Sequence, residues 1–379
     1  MASVEVQGLT KWYGKRRGVE DVSFTVHDKE FLAIFGPAGA GKTTTLNLIS
    51  GTVTPNQGSV RIGGKSIDGL EPAERNVAMV FESYALYPQL SVFENMAFPL
   101  KSPKFKVPEA EVKQRVMRVA QVMKIDHLLD RKIQALSNGQ RQRTALGRAL
   151  VRNPQVFLLD EPLSHLDAKL RHLMRAELKE MRQQLGTTTI YVTHDYLEAM
   201  SLGDRIVILS DGRVQQIGTP DEVYFRPANT AVARLFGDPE INLVEASVQK
   251  SAGDRLTLQM FGEKGTMPVP REIIDGLRAS AQPKLLVGFR PADVELRTAG
   301  NGQTDYTGVV YSFEPLGTKS IVTLDGVDGT RVRALVDGRN LYEPDRRIQF
   351  ALRPERLIFF DPETKQFLGR EEKVGTGVE

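Results

Sequence analysis

At residues 36–43 the chain reads Gly36-Pro37-Ala38-Gly39-Ala40-Gly41-Lys42-Thr43, which matches the phosphate-binding pattern G-x-x-x-x-G-K-[ST]. The apolar run Phe31 to Phe35 precedes it and predicts a strand, and Thr44 to Ser50 follows as a predicted helix. Backbone N–H groups of such a turn and the positive end of the helix can hold phosphate oxygens. Lys42 is expected between the β- and γ-phosphates, with the Thr43 hydroxyl on Mg²⁺. The stretch therefore predicts a Mg²⁺–nucleotide site, and the alternative is a glycine turn that precedes a helix by chance.

Length and composition predict a protein of two domains with ordinary packed cores. Its 379 residues exceed the size at which one hydrophobic core normally keeps growing. Hydrophobic residues make up 41% and charged residues 26%, and the net charge of +3 is too small to favour nucleic acid or an anionic membrane as a partner. Because the chain has no cysteine, disulfides, thiol catalysis and cysteine-ligated zinc are excluded.

The N-terminal segment does not resemble a secretion signal. Residues 1–10 alternate polar and apolar side chains, which predicts an edge strand and not a hydrophobic signal core. No later segment approaches the roughly eighteen apolar residues that span a bilayer. We therefore expect a cytoplasmic protein, and a membrane role would require a partner.

Two different patterns of apolar and polar residues along the chain predict the fold class. Up to about residue 235, apolar strand-like runs alternate with longer helical patterns, which is typical of α/β domains with a parallel sheet. Beyond Pro239, short alternating runs separated by turn residues predict a small all-β barrel or sandwich. The predicted domains are an α/β P-loop NTPase domain over residues 1–235 and an all-β domain over residues 236–379.

Three more predicted strands end in polar side chains suited to work on a phosphate. Asp160 and Glu161 follow one strand, His194 follows another, and Glu82 follows a third. Because ligands collect at the carboxyl ends of parallel strands, these side chains should converge on the glycine-rich loop. Asp160 is expected to hold Mg²⁺, Glu161 to polarise the attacking water and His194 to contact the γ-phosphate. The alternatives are an acidic pair that merely ends a buried strand and a structural histidine.

The segment Leu136-Ser137-Asn138-Gly139-Gln140 precedes the helical pattern Thr144 to Val151. A serine hydroxyl, unpaired N–H groups and a favourable dipole at a helix start make an anion site. The same residues also fit an ordinary helix N-cap, so the segment alone leaves both interpretations open.

Taken together, these motifs come in the order typical of ABC transporter ATPases, which the chain resembles over its whole length. The general motifs are the loop at 36–43, the Leu-Ser-Asn-Gly-Gln segment, the strand end at 158–162, Ser164-His165-Leu166-Asp167 and Val192 to Asp195. Residues 84–88, 94–98 and 167–171 more narrowly resemble ATPase subunits of bacterial importers of the maltose-transporter type. Residues 288–293, 352–356 and 360–364 resemble the C-terminal OB-type (TOBE) regulatory domain of that group. The implied fold is an ABC ATPase, with a helical subdomain at about residues 87–152, followed by an OB-like barrel.

The resemblance implies a role for each matching residue. Two ATPase subunits would sandwich ATP head to tail, so that Ser137 and Gly139 of one chain touch the γ-phosphate held by Lys42 of the other. Tyr13 would stack on adenine, and Asp167 would lie at the subunit interface. The implied catalytic residues are Glu161, His194 and Glu82, and the implied Mg²⁺ ligands are Thr43, Glu82 and Asp160. The implied ATP contacts are Tyr13, Gly36, Pro37, Ala38, Gly39, Ala40, Gly41, Lys42, Thr43, Thr44, Ser137, Asn138, Gly139, Gln140 and Asp167.

Two residues depart from the family pattern. Glu82 stands where the family normally has glutamine, and its extra negative charge near Glu161 is expected to slow hydrolysis or to be offset by a proton on Glu82. Asn138 replaces the first glycine of the family's signature. Because asparagine tolerates a left-handed backbone and Gly139 is kept, we expect this second change to be mild.

The leading hypothesis is the ATP-hydrolysing subunit of a bacterial importer for a carbohydrate or related polar solute. Its implied partners are a second ATPase subunit, two transmembrane permease subunits and, indirectly, an extracytoplasmic solute-binding protein. It would sit at the cytoplasmic face of the cell membrane. A second hypothesis is a regulatory ABC subunit that hydrolyses ATP poorly, which Glu82 motivates. A third is a soluble ABC ATPase acting on nucleic acid, which the lack of a strong basic patch disfavours.

Overall fold

The computed structural model describes residues 2–102, 107–251, 255–269, 273, 284–297, 305–326 and 328–370. The chain divides into two compact units, residues 1–220 and 221–379. The sequence-based boundary after residue 235 concerns domains that would fold independently, and it stays a prediction. Within the described ranges, no helix combines the length and the apolar character needed to cross a membrane.

The first unit contains two β-sheets and the helices that pack on them. Its strands are β1 (Val4–Tyr13), β2 (Arg16–Val26), β3 (Phe31–Phe35), β4 (Gln57–Ile62), β5 (Lys65–Ser66), β6 (Val77–Val80), β7 (Val156–Asp160), β8 (Thr188–Thr193), β9 (Arg205–Ser210) and β10 (Arg213–Gly218). Its helices are α1 (Lys42–Ser50), α2 (Val92–Ala97), α3 (Glu109–Val122), α4 (Asn138–Leu150), α5 (Ala168–Leu185) and α6 (Tyr196–Leu202).

The larger sheet has the strand order β10-β9-β3-β8-β7-β6. Neighbours from β9 to β6 run parallel, and β10 pairs antiparallel with β9 at one edge. Every residue of β3, β7 and β8 is buried, which is typical of parallel strands covered on both faces. The predicted parallel α/β sheet is confirmed, and its carboxyl edge brings together the ends of β3, β6, β7 and β8.

The smaller sheet is antiparallel, with the order β2-β1-β4-β5. β1 pairs with β2 on one side and with β4 on the other, so the prediction that residues 1–10 form an edge strand is wrong. The alternation itself is present, because Val4, Val6 and Leu9 are buried. Alternation indicates which face of a strand is buried, and it carries no information about which edge is paired.

Helices α2, α3 and α4 lie between β6 and β7. α3 buries Val112, Val116 and Ala120, which are spaced four residues apart and so share one face of the helix. They join a core with residues of α2 and α4, among them Met96 and Leu146. The predicted helical subdomain covers these three helices, and its status as a subdomain stays a prediction.

The second unit is built mainly from β-strands. Two short helices come first, α7 (Pro220–Phe225), which begins at the last residue of the first unit, and α8 (Thr230–Leu235). Its strands are β11 (Asn242–Ser251), β12 (Arg255–Met260), β13 (Glu263–Pro268), β14 (Lys284–Phe289), β15 (Val294–Arg297), β16 (Asp305–Pro315), β17 (Lys319–Gly326), β18 (Arg331–Asp337), β19 (Arg347–Leu352), β20 (Ile358–Phe360) and β21 (Phe367–Arg370).

These strands form two antiparallel sheets, of order β13-β12-β11-β14-β20-β21 and β15-β19-β16-β17-β18. Residues of both sheets share one hydrophobic core, in which Phe261 contacts the rings of Phe289, Tyr306 and Phe350 edge-on. Several short strands that close around one core make a barrel-like domain. The predicted all-β, OB-like C-terminal domain is therefore confirmed.

Arg290 attaches the chain around α7 and α8 to the barrel. Its side chain is buried and donates hydrogen bonds to the carbonyl oxygens of Tyr224 (2.9 Å), Ala233 (3.0 Å) and Phe236. The guanidinium also lies 4.1 Å from the centre of the Tyr224 ring. A planar group with five donors can satisfy several carbonyls at once, which an ammonium group does less well.

Candidate nucleotide-binding and hydrolysis site

The glycine-rich loop joins β3 to α1 at the carboxyl edge of the parallel sheet. α1 begins at Lys42, two residues earlier than predicted, and its N-cap is Gly41, with φ of 99° and no side-chain cap. A Cβ at Gly41 would lie 2.6 Å from Val19 Cγ1 and 2.7 Å from the Gly18 oxygen. Glycine is therefore required at this position by both the backbone angle and the space. The first N–H groups of α1 therefore receive no hydrogen bond from an N-cap side chain.

Lys42 lies beneath the loop and is buried. Its Nζ donates hydrogen bonds to the carbonyl oxygens of Gly36 at 3.0 Å and Pro37 at 3.1 Å. The same nitrogen is 3.5 Å from Glu161 Oε1. A buried ammonium needs such partners, and they place its positive charge directly under the glycine-rich loop.

Thr43 and Asp160 bring together the oxygens expected to ligate Mg²⁺. Thr43 Oγ1 donates to Asp160 Oδ1 at 3.2 Å. Burial raises the pKa of Asp160 to about 6; the carboxylates of Glu161 and Glu82 also raise it, whereas the Thr43 hydrogen bond and the Lys42 charge lower it. A buried carboxylate next to two others is stabilised by a divalent cation. Hydroxyl and carboxylate oxygens are the ligands that Mg²⁺ prefers, so the residues present fit this ion.

Glu161 and His194 form the closest pair of the site. His194 Nδ1 is 2.6 Å from Glu161 Oε2, and the Glu161 N–H donates to the Val192 oxygen at 3.0 Å. Glu161 has φ of 44°, a left-handed conformation that is uncommon and unfavourable for this residue type. The backbone strain directs the carboxylate to a point between Lys42 and His194, and such strain is typical of functional positions.

Glu82 lies two residues after the end of β6, and its contacts come from the turn after Glu161. Its Oε1 lies 3.5 Å from Ser164 Oγ and 3.6 Å from His165 Nε2. Sequence reasoning named Glu82 and missed both contacts. Ser164 and His165 stand in a recognised motif, but nothing local in the sequence indicates that this turn faces the end of β6.

A cavity of about 460 Å³ opens above the loop. It is lined by the predicted residues Tyr13, Ala38, Gly39, Ala40, Gly41, Lys42, Thr43, Thr44 and Glu161, and also by Arg16, Arg17 and Gly18. The last three were missed, although a basic run directly after Tyr13-Gly14 was a signal that could have indicated them. A Cβ at Gly18 would lie 2.9 Å from Tyr13 Cε2, so glycine there allows the exposed Tyr13 ring to lie against the hairpin at the cavity wall.

The Ser137 segment and Asp167 are not among the residues that line this cavity. Ser137 caps α4 in a capping box: its Oγ accepts from the Gln140 N–H, and its own N–H donates to Gln140 Oε1. Asp167 Oδ1 accepts from the Leu170 N–H at the start of α5. Within one chain, both segments are helix starts that do not line the cavity above the glycine-rich loop.

Asn138 does not use a left-handed backbone. It is the first residue of α4 and has no positive φ, so the reason given for the mildness of this substitution is wrong. At the first position of a helix the backbone is right-handed for every residue type. Gly139 is the tighter position, because a Cβ there would lie 3.1 Å from Leu170 Cδ2.

Comparison with known proteins identifies the family. A family model described as ABC transporter matches residues 19–164, and one described as TOBE domain matches residues 287–360. The sn-glycerol-3-phosphate import ATP-binding protein UgpC of Chromobacterium violaceum is 42% identical over 368 residues, which are 97% of this chain and 96% of the relative. The chain belongs to the ABC transporter family of ATPases.

This ABC ATPase is also 47% identical to the trehalose/maltose import ATP-binding protein MalK of Thermococcus litoralis, over 86% of this chain and 88% of the relative. It is 40% identical to the xylose/arabinose import ATP-binding protein XacK of Haloferax volcanii, over 98% of this chain and 97% of the relative. The predicted similarity to ATPases of the maltose-importer type is confirmed.

Solved structures of ABC ATPases share the fold. cbiO1 from Clostridium perfringens, part of the ABC transporter complex cbiONQ, is 30% identical with a TM-score of 0.54, over 58% of this chain and 89% of that chain. The dimeric post-hydrolysis state of the ATP-binding cassette MJ0796, bound to ADP and Pi, is 30% identical with a TM-score of 0.52, over 57% of this chain and 98% of that chain. The predicted P-loop ATPase fold with a C-terminal TOBE domain is confirmed, and the chain is an ATP-binding ATPase.

Proposed function

We propose that this ABC ATPase dimerises head to tail around two ATP molecules and drives uptake of a carbohydrate or related polar solute through separate membrane subunits. The observation that carries the proposal is the separation of the two phosphate-binding helix starts. α1 opens into the cavity of its own chain, whereas the α4 start does not line that cavity. An anion site that cannot serve its own chain becomes useful across a two-fold interface.

In this proposal residues that line the cavity act on the nucleotide together with Asp160, Glu82 and His194, which lie outside its lining. Tyr13 stacks on adenine, Lys42 and the loop hold the phosphates, and Thr43, Asp160 and Glu82 provide oxygens for Mg²⁺, which neutralises phosphate charge when it is bound. Glu161 accepts a proton from the attacking water, and His194 orients Glu161 through their 2.6 Å contact.

The second chain contributes Ser137 to Gln140 from the start of α4, and Asp167 lies at the interface. The dimer would close around ATP and open again after hydrolysis, and this cycle would convert chemical energy into a change of shape.

The relatives support the direction of transport and the class of solute. Those named above are import ATP-binding proteins for sn-glycerol-3-phosphate, trehalose or maltose, and xylose or arabinose. The proposal therefore includes two permease subunits, an extracytoplasmic solute-binding protein and a position at the cytoplasmic face of the cell membrane. Residues 1–235 would form the ATPase domain and residues 236–379 the regulatory domain.

Glu82 favours one alternative, a hydrolysis-impaired subunit that pairs with a more active partner. Its carboxylate is close enough to Asp160 to contribute to the raised pKa of that residue, so a third negative charge is present where the family has a neutral amide. We expect Glu82→Gln to raise the ATPase rate several-fold, because it removes this repulsion. An unchanged or reduced rate, measured under saturating Mg²⁺–ATP, would remove the idea that Glu82 limits hydrolysis.

The test of the main proposal is ATP hydrolysis by the purified chain over a range of protein concentrations. A rate that rises more steeply than the concentration, and that disappears in Glu161→Gln, supports a dimeric ATPase with Glu161 as base. A rate strictly proportional to concentration, with the chain monomeric throughout, would contradict the shared site. A negligible wild-type rate that Glu82→Gln restores would favour the impaired-partner hypothesis instead.

A further inference from the structure

The turn that follows Glu161 supplies the contacts of Glu82, the residue in which this chain departs from its family. Ser164 and His165 both approach the same carboxylate oxygen, Oε1, at 3.5 and 3.6 Å. Ser164 Oγ is closer to the Glu161 carbonyl oxygen, at 2.9 Å. Because a hydroxyl has one proton to donate, Ser164 donates it to the nearer acceptor, the Glu161 carbonyl oxygen. His165 is thus the side chain available as a partner for the Glu82 carboxylate.

Both members of the pair are held by their own turns. The Tyr84 N–H donates to the Phe81 oxygen at 2.9 Å, which closes the turn that contains Glu82. Tyr84 and Ala85 have φ of 62° and 44°, and Arg148 of α4 donates to both of their carbonyl oxygens, at 2.9 and 2.6 Å. An unfavourable backbone conformation persists only where its surroundings hold it, so Glu82 is followed by a fixed segment of chain.

The His165 ring is oriented from the other side. It meets the buried Tyr84 ring edge-on, with 6.4 Å between the ring centres and an angle of 88°. The Ser164 N–H donates to the Glu161 oxygen and the Leu166 N–H to the Leu163 oxygen, so the histidine belongs to the same turn as Glu161. If Glu82 moves relative to His165, its distance from Glu161 therefore changes as well.

We infer that His165 is a positioning residue for Glu82, which it holds by Oε1 so that Oε2 remains for Mg²⁺ or the attacking water. Within the described part of the chain, the contacts of the Glu82 carboxylate fall on Oε1 and not on Oε2. At 3.6 Å the pair is in electrostatic contact, and contacts of this length commonly tighten when substrate binds. A carboxylate fixed in this way can take the place of the family's amide, because a proton on His165 Nε2 would engage one oxygen as the contact tightens and leave the other with the acceptor role of an amide carbonyl. This inference rests on the proposed role of Glu82 in the site.

A double-mutant cycle of His165→Ala with Glu82→Gln tests this inference. We expect H165A to lower kcat about fivefold at unchanged KM for ATP, the size expected for loss of one partly exposed charged contact. In E82Q protein the same substitution should change kcat less than about twofold. His165→Gln, which retains an N–H donor, should recover most of the loss. His172→Ala on α5 is the matched control, because His172 contacts Arg175 and not the site. An equal effect of H165A with and without E82Q, or no effect in either, would overturn the inference.

A second readout does not depend on hydrolysis. NMR spectra of the full chain, labelled with ¹⁵N-histidine and free of nucleotide, provide it. The resonances that disappear in H165A belong to His165, and those that disappear in H172A belong to His172. We expect E82Q to shift the His165 ring resonances and to leave the His172 ring resonances unchanged. Unshifted His165 resonances would overturn the pairing whatever the ATPase rates are. If ATP hydrolysis persists in E161Q, the proposal that Glu161 is the catalytic base is wrong, but the NMR test of the His165–Glu82 pair is unaffected. A failure of the proposed function can therefore be distinguished from a failure of this inference.

Discussion

The starts of α1 and α4 are both predicted to bind phosphate, yet they are built in opposite ways. α1 follows Gly41, which has a left-handed backbone and offers no side-chain cap. α4 follows Ser137, which exchanges two hydrogen bonds with Gln140 in a complete capping box. The first N–H groups of α1 therefore need an acceptor from a ligand or from water. At α4 the side chains of Ser137 and Gln140 already accept two of the N–H groups.

This difference indicates how the two ends would respond to nucleotide. At α1 a phosphate would accept from N–H groups that the N-cap side chain leaves uncapped, next to the buried ammonium of Lys42. At α4 a phosphate must compete with the cap, since the Ser137 hydroxyl already accepts from the Gln140 N–H at 3.4 Å. We therefore expect α1 to bind ATP in a single chain, and α4 to engage only when a second chain presents the phosphate.

The largest expected effect is on the α1 side. Lys42→Ala removes the buried ammonium beneath the loop, which contacts the carbonyls of Gly36 and Pro37 and the Glu161 carboxylate. We expect ATP hydrolysis to fall by about 100-fold or more, because a buried charge that acts on the transferring phosphate is lost. Steady-state ATPase assays measure this, with Lys29→Ala on the exposed turn before β3 as a control. A fall of less than tenfold would mean that the α1 end is not the principal phosphate site.

Next in size is the pH dependence caused by Asp160. Its pKa is raised to about 6 from 3.8, mainly by burial, so between about pH 4 and 6 the native state keeps a proton that the unfolded chain releases. The free energy of unfolding therefore falls as the pH rises through this range, by at most about 3 kcal/mol. Asp160→Asn should remove that fall and be more stable than wild type at pH 7.

Urea unfolding in EDTA without nucleotide, followed from pH 4 to 7.5, measures this difference. The two proteins should approach each other toward pH 4, where Asp160 is protonated in the native state and partly protonated in the unfolded chain. A constant difference across the range would show that Asp160 does not titrate in this way.

The backbone of the uncapped end gives the third prediction. Gly41→Ala places a Cβ 2.6 Å from Val19 Cγ1 at a φ of 99°, so strain and overlap add, and we expect a loss of about 2 kcal/mol or more in the free energy of unfolding. Gly39→Ala is the matched control, because its φ is 78° but nothing lies within 4 Å of the added Cβ. It should cost about 1 kcal/mol. Equal losses in the two variants would show that space around Gly41 is not limiting.

The smallest effect belongs to the capped end. Ser137→Ala should lower the free energy of unfolding by about 1 kcal/mol, because one N-cap hydrogen bond is lost. Nucleotide binding by the isolated chain should stay unchanged, since Ser137 does not line the cavity. Gln140→Ala removes the reciprocal half of the box and serves as the control for stability alone. Equilibrium binding of a fluorescent ATP analogue at low protein concentration measures the outcome, and weaker binding in S137A would contradict the division between the two ends.

Much of the parallel sheet and its loop could be predicted, because the residues that indicate them are adjacent in the sequence. A wholly buried β3, a glycine turn and α1 are consecutive, and Asp160 and Glu161 directly follow the apolar residues of β7. The rest depends on distant segments. The edge assignment of β1 was wrong because its second partner, β4, comes more than forty residues later. His165 near Glu82 was missed because their contact joins turns that follow β6 and β7.

Arg290 has a practical bearing on where the chain can be cut. Its guanidinium reaches back to carbonyl oxygens of Tyr224, Ala233 and Phe236. A recombinant ATPase fragment that stopped at residue 235 would keep α7 and α8 but lose the charged donor that satisfies their carbonyls, at a cost of about 1.5–3 kcal/mol for each such bond. Those helices would then fray and expose apolar side chains to neighbouring molecules. A fragment that ends before α7 does not contain these carbonyl oxygens and so avoids this loss.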